Sequence, residues 1–527
     1  MRRNSFFFVV LLTALLVIAA APAGAENVVR WASQGDALTA DPMAANEATT
    51  VHMCRNFYGT LVARGENLKF IPWLATSWKI VNPTTWEFKL RKGVKFQDGS
   101  PFTAEDVKFS FQRALSKTSD FKKKIKAVKE VKIINDHVVH IVTDGPLPIL
   151  PNYLITIFMM SKKWCEKHGV TMPQDRTKQE ESYAVRHAMG TGPFKLVLRE
   201  PDVRTIMVKN KDWWGLKEYP HKVDKVIFTP IANQATRVAA LLSGEIDFLL
   251  DPPLQDLKRI EKTPNMRVKE VEQLRTIFLG MNQARKELLT SNIKGKNPFA
   301  DKRVRQAIYQ AIDINAIRKK VMRGYAKPAG IITPPPVHGY TKKMDQRLPY
   351  DPAAAKKLLA EAGYPNGFSV QLDCPNNRYI NDEAIGQAIV GMLAKVGIKV
   401  NLSAVPKTLH FPKIKKRKTD FYMLGWGVGT LDSIYVFSYL VLGADKGWNG
   451  TGFDDPQVNE TIKKIEVETD FNKRDAMIQS VWDRVQNNIL YIPLHHQVIV
   501  WAMNAKIDMP IFPDNGARFY LCKFTKK

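Results

Sequence analysis

The strongest constraint on this chain is a junction that recurs along it: a β-branched or aromatic strand followed by a capped amphipathic helix. Trp86, Phe88 and Leu90 alternate with Glu87, Lys89 and Arg91, the period of a half-buried strand. Thr103 to Asp106 then opens a helix with a capping box, and Val107, Phe111 and Leu115 recur on one face. In Ala235 to Leu250, Val238, Leu241 and Leu242 mark a helix, Gly244 a left-handed cap, and Ile246 to Leu250 a strand. Asp351-Pro352 starts a further helix that Gly363 and Pro365 end. Asp382 is expected to cap a helix bearing Ile385, Ile389 and Leu393; Gly397 stops it, and Ile398, Val400 and Leu402 alternate as a strand. Separate units of this kind specify an α/β architecture and not a short-period repeat.

With 527 residues, 45% of them hydrophobic, the chain has material for several cores and no long low-complexity linker. Near Leu279 a strand-like run gives way to the polar stretch QARKELLTSNIKGKN before Asp301 caps a new helix. A boundary is therefore predicted at about 279–298, with two lobes joined by short crossings and a ligand cleft between them.

Arg2 and Arg3, an apolar run from Phe6 to Ala21 and the small-x-small step Ala23-Gly24-Ala25 form a cleavable secretion signal, with cleavage expected after Ala25. The apolar run is shorter than the roughly 20 residues that span a bilayer. Lys+Arg number 78 and Asp+Glu 51, a net +27, and loss of Arg2 and Arg3 with the signal leaves +25 on the exported chain. Such a field attracts anionic surfaces or solutes. The runs Lys122-Lys123-Lys124 and Lys413 to Lys418 lack interleaved aromatics, and the compartment is wrong for nucleic acid, so both are read as solvated faces and no nucleic-acid partner is expected. Cys54, Cys165, Cys374 and Cys522 are widely spaced and include no Cys-x-x-Cys pair, so one disulfide or none is expected, and no zinc.

Catalytic motifs are missing. No Gly-x-Ser-x-Gly, His-Glu-x-x-His or Gly-x4-Gly-Lys-Ser/Thr occurs, so no catalytic residue, metal ligand or cofactor is assigned. Gly425-Trp426-Gly427-Val428-Gly429 lacks dinucleotide-loop spacing and reads as a backbone bend beside an aromatic. His137 and His140, and likewise His495 and His496, fall on opposite faces of a strand and make poor joint ligands.

WEFKLRKGVKFQDGSPFTAEDVKFSFQRAL (Trp86 to Leu115) resembles the signature region of the extracellular solute-binding proteins of family 5, the peptide/nickel-type binding subunits of ABC importers. Further similar strings are YGTLV at Tyr58, GTGPFKL at Gly190, NKDWWG at Asn210, LLSGEIDF at Leu241, PFADKRVRQAIYQAID at Pro298 and LLAEAGYPNGF at Leu358. The resemblance implies a two-lobed, hinged, type II-like periplasmic binding protein. Lobe I would comprise 26–278 plus 498–527, with an extra subdomain at about 45–183, and lobe II 279–497. It also implies a non-enzymatic, monomeric subunit that captures a peptide or similar small polar solute and delivers it to an inner-membrane ABC permease with cytoplasmic ATPases. A sugar, an opine-like compound or a metal chelate is the alternative ligand. A secreted hydrolase or an envelope chaperone is the alternative class.

In peptide-binding members a carboxylate three residues after the tryptophan of the Gly-Trp motif holds the ligand's amino terminus; here that position is Gly429. Asp432 is the next acid and either replaces it or forms a turn. Trp426 is a candidate ligand contact or core residue. Arg378 and Tyr379, in DCPNNRYINDE, are candidates too, the guanidinium to grip a carboxylate or to bridge the lobes. Asn46 and Asn282 fall in segments that line the cleft in relatives.

Overall fold

The computed structural model describes residues 26–178, 180–443 and 447–525; the expected signal, Met1 to Ala25, lies outside the described residues. Among the described residues no helix is long and apolar enough to cross a membrane.

Two unusually long strands, Met266–Met281 and Tyr491–Asn504, lie antiparallel and run through both lobes. On one side the sheet continues through Phe421–Gly427, Ser369–Pro375 and Lys399–Val405; on the other through Phe248–Leu250, Val28–Ser33, Lys225–Pro230, Arg204–Lys209 and Phe194–Glu200. Ala326–Pro328 pairs with Tyr491–Asn504 and completes eleven strands. Each half has a parallel core: Val28–Ser33 lies parallel to two neighbours, as does Ser369–Pro375. Parallel neighbours require crossover connections, which the capped helices supply. The helix Asp382–Ala394, for example, packs on the two strands that flank it in sequence, with Ile385 and Ile389 fully buried.

The pairing of the long strands is irregular at two places, a wide break between Glu272 and Thr276 and a one-residue shift between Ile277 and Phe278. Met266 to Glu272 pair with Asn504 to Val498, and regular pairing resumes only at Thr276 with His496. Gln273, Leu274 and Arg275 occupy that gap. The Gln273 carboxamide oxygen accepts from Gln497 Nε2 at 2.7 Å and from Arg275 Nε at 3.1 Å, so side chains bridge where the backbone ladder does not.

A separate four-stranded sheet, in the order Ala75–Asn82, Thr85–Leu90, Val138–Thr143, Val128–Asn135, lies within the span expected for the extra subdomain, with the helix Ala104–Leu115 packed on it. The family-like strings hold this unit in place. Gln97 Nε2 donates to the carbonyls of Phe57 (3.0 Å) and Phe194 (2.7 Å), and a Cβ at Gly190 would fall 2.2 Å from the Phe57 carbonyl oxygen. Arg113 grips Asp41 through two bonds of 2.7 Å, both side chains fully buried.

Three local expectations are corrected. The cap of the Asp382–Ala394 helix is Asn381, in left-handed backbone at φ 54°, with Asp382 the first helical residue. Gly425-Trp426-Gly427 is no bend but the end of the buried strand Phe421–Gly427. Its glycines matter because a Cβ at 425 would strike Ile277 and Tyr379 at 2.5 and 2.8 Å. The run Lys122 to Lys124 is not wholly solvated, since Lys124 is buried. All four cysteines are free and buried.

Removing one partner of a buried ion pair leaves the other charge uncompensated, at about 3–5 kcal/mol. Asp41→Asn is therefore expected to lower unfolding stability by about that amount in denaturant titration. A loss under about 1 kcal/mol, the worth of an exposed pair, would show that this pair does not anchor the subdomain.

Candidate ligand-binding cavity between the lobes

The carboxyl ends of parallel strands leave backbone groups and loops facing a crevice, the usual place for a ligand in an open α/β sheet. Trp426 ends one strand, Arg378 and Tyr379 follow Ser369–Pro375, and Lys407 follows Lys399–Val405. All line one cavity of about 270 Å³, together with Asn46 and Glu47, just before the helix Ala48–Cys54, and Arg275 from the break in the long strands. That is just under the roughly 300–1,000 Å³ of small-molecule sites.

One wall is aromatic. The Trp426 ring lies 5.5 Å from Tyr435, 5.5 Å from Tyr439 and 5.8 Å from Trp448, and its indole N–H is buried with no hydrogen-bond partner among the described residues. Asn46 Nδ2 donates to the Tyr435 hydroxyl at 3.2 Å, which ties the wall to the segment before the helix Ala48–Cys54. The Arg378–Tyr379 turn is fixed from below, because Asp382 Oδ2 accepts both backbone N–H groups at 2.9 and 3.0 Å. Tyr379 in turn donates to the Gly425 carbonyl at 3.2 Å.

The rest is strongly basic. Nine Lys or Arg side chains line the cavity against three Asp or Glu, so its field favours an anion even before pairing is considered. Glu47 caps the helix Ala48–Cys54 through the Thr50 N–H, and its other oxygen lies 3.4 Å from Arg378 and 3.5 Å from Lys407. Burial alone would raise the Glu47 pKa, but Lys407, Arg378 and the helix-end N–H groups outweigh it and hold the carboxyl well below the usual range. Asp514 is held ionised in the same way by Arg518 and Arg55, at 2.8 and 2.7 Å. Asp120 faces Lys415 at 3.9 Å.

Arg275 differs. It is 5% exposed, its guanidinium carbon stands 5.7 Å from the Tyr379 ring centroid, and no carboxylate lies within 4.0 Å among the described residues. Burial, with Arg378 nearby, pulls its pKa down to about 10, so it remains charged at neutral pH. A buried cation without a counter-ion is costly unless something else supplies the charge.

The family model for bacterial extracellular solute-binding proteins, family 5 Middle, matches residues 69–448. This chain belongs to family 5 of the extracellular solute-binding proteins. Membership makes it the solute-binding subunit of an ABC importer. Among similar family 5 proteins, the glutathione-binding protein GsiB of Shigella flexneri serotype 5b (strain 8401) is 28% identical over 499 residues, covering 91% of each chain. The periplasmic binding protein DppA of Helicobacter pylori, solved with the peptide STSA, is 25% identical with a TM-score of 0.82 over 95% of this chain and 98% of that one. The oligopeptide-binding protein AppA of Bacillus subtilis, solved with a nonapeptide, has the same fold at 22% identity and a TM-score of 0.82, over 95% and 99%.

Of the residues singled out from sequence in this family 5 chain, Trp426, Arg378, Tyr379 and Asn46 line the cavity. Asp432 and Asn282 are not among its lining residues. Asp432 caps Ser433–Val436, forms two bonds of 2.8 and 2.9 Å with Arg474, and contacts His338 Nδ1 at 3.0 Å. Its carboxylate is used by His338 and Arg474, which corrects the expectation that it replaces the missing acid and leaves the turn-forming alternative. Asn282 is likewise spent on Gly450, Arg285 and Asn297.

Sequence reading missed Glu47, Arg275 and Lys407. Arg275 did leave a signal, a lone charge in the apolar run LRTIFLG. It missed Asp251 as well, which lines an adjoining cavity of about 50 Å³ shared with Arg275, Arg378 and Lys407. Asp251 accepts from Asn515 Nδ2 at 3.2 Å to each oxygen, has no cation within 4.0 Å among the described residues, and is pushed up to about 6 by burial.

Asp432→Asn is expected to cost about 3–5 kcal/mol of stability, because it strands buried Arg474. Ligand affinity of the folded fraction, read by calorimetry, is expected to stay within about threefold, roughly 0.7 kcal/mol. A tenfold loss of affinity with unchanged stability would return Asp432 to the site.

Proposed function

We propose that this importer subunit captures a small, peptide-like solute through a carboxylate, which docks on Arg275 and Arg378 while the solute's flatter part lies on Trp426. The observation that carries this reading is the buried Arg275 guanidinium facing the cavity with no acid of the protein beside it. Guanidinium and carboxylate match in a fork geometry, and desolvation strengthens the pair. Tyr379, Asn46 and Lys407 complete the contact surface.

Peptide recognition by a buried amine-binding acid is poorly supplied here. Glu47, Asp514 and Asp120 already face protein cations, and position 429 is glycine. Asp251 is the acid best placed to receive an ammonium, beside the cations that would hold the adjacent carboxylate. A solute with more acidic than basic groups fits this balance, and glutathione, the ligand named for the relatives at 28% identity, is such a compound.

The break in long-strand register at Gln273 to Arg275 supports a hinge there, close to the boundary between lobes at 26–278 plus 498–527 and 279–497. The chain is exported by the segment ending at Ala25 and works in the periplasm as a monomer, handing its solute to a membrane permease. Intact mass of the exported protein is expected to place its amino terminus at Glu26; a mass retaining Met1 to Ala25 would contradict cleavage.

Arg275→Met removes a charge-assisted bond worth about 1.5–3 kcal/mol, so titration with a panel of short acidic peptides including glutathione should show about a 10- to 100-fold loss of affinity. Unchanged affinity would contradict the assignment.

A further inference from the structure

The cavity holds a second buried cation without an acid beside it, more deeply buried than Arg64 or Arg176 on the same wall. Lys124 lies on the short 3-10 helix Lys122–Ile125 of the lobe I subdomain, is 6% exposed, and lines the cavity. Its ammonium donates to Thr156 Oγ1 at 3.0 Å and stands 4.6 Å from the Phe121 ring centroid and 5.2 Å from that of Tyr435. No carboxylate lies within 4.0 Å of it among the described residues: Asp120 faces Lys415 at 3.9 Å and accepts the Asn46 N–H at 3.3 Å. An ammonium carries three donors, and the protein satisfies one of them with a hydrogen bond. Burial draws its pKa down to about 7, with no acid raising it.

These two buried cations reach the cavity from different parts of the fold. Lys124 stands against Tyr435, and Tyr435 against Trp426. Arg275 pairs with Gly427, the residue after Trp426, in the strand register, and its guanidinium lies on the face of that glycine. Both buried cations line the same cavity as Trp426 and Tyr435. A molecule that fills the cavity therefore meets two separate positive groups.

Resting on the carboxylate-binding role of Arg275, we infer that Lys124 is a second anion subsite and that the solute is a dicarboxylate, with an acidic group toward each end and a less polar middle on Trp426 and Tyr435. A monocarboxylate would leave one buried cation unmatched, which costs selectivity in its disfavour. The middle of the ligand needs flat or apolar surface rather than charge, because the wall offers ring faces and neutral indole and phenol donors.

The test uses glutathione, which has a carboxylate at each end, and two analogues that each lack one: the glycinamide-ended peptide and 4-aminobutyryl-Cys-Gly. Native protein is expected to bind glutathione at least about 10-fold more tightly than either analogue. Lys124→Met is expected to lose about 10- to 100-fold for glutathione. It should bind one analogue, the one lacking the carboxylate that faces Lys124, as native protein does. Lys124→Gln should behave alike, and thermal unfolding of both variants checks that they are folded. Native-like affinity of both variants for glutathione would overturn the inference while leaving the Arg275 assignment standing, whereas equal affinity of native protein for all three compounds would overturn both. Binding of none of the three would take down the carboxylate-site reading itself, and this inference with it.

Discussion

Everything in this molecule hangs on the two long strands, Met266–Met281 and Tyr491–Asn504, and on the gap in their ladder. A sheet that runs unbroken through both lobes would make them one rigid body, since ladder bonds resist bending across the strand direction. The irregular stretch between Glu272 and Thr276 relieves that stiffness, and the Gln497–Gln273–Arg275 side-chain bonds fill it with contacts that rearrange more readily than a ladder. Arg275 thus lies both beside this break and on the cavity wall. With the hinge proposed there, an anion on its guanidinium would act on lobe closure, since a ligand shifts a conformational equilibrium only through such differential contact.

Electrostatics then sorts the residues around that point. The acids of the main cavity each face a protein cation, whereas Arg275 and Lys124 face none. Burial penalises both cations, and their hydrogen bonds and ring contacts include no carboxylate within 4.0 Å among the described residues, so the cleft is short of negative charge beside them. The wider excess of +27 raises the local concentration of anions and speeds encounter, while the buried cations decide which anion stays. Part of the KIKKRK run belongs to this arrangement: Lys415 lines the cavity and Lys413 is bonded to Asp373.

The fold was largely legible from the sequence because strand alternation and helix caps are local signals. Trp86 to Leu115 became the strand and helix its pattern specified, and Gly244, Gly363 and Gly397 all take positive φ at helix ends. The site was legible only in part. Trp426, Arg378 and Tyr379 sit at strand ends, where position in the motif implies position in the cleft. Arg275 and Lys124 owe their importance to the absence of a neighbouring acid, a fact of three-dimensional packing. Asp432 misled for the converse reason, since its partners His338 and Arg474 are distant in sequence. The most recognisable string, Trp86 to Leu115, contributes no cavity-lining residue and serves to build and seat the subdomain.

The most direct test of an anion-completed cleft is the chemical identity of what the protein carries. Exported native protein would be denatured, and the released small molecules identified by mass spectrometry against protein concentration. The account predicts a stoichiometric solute with more acidic than basic groups. A stoichiometric neutral or cationic solute, such as a sugar or an amine-rich peptide, would contradict it.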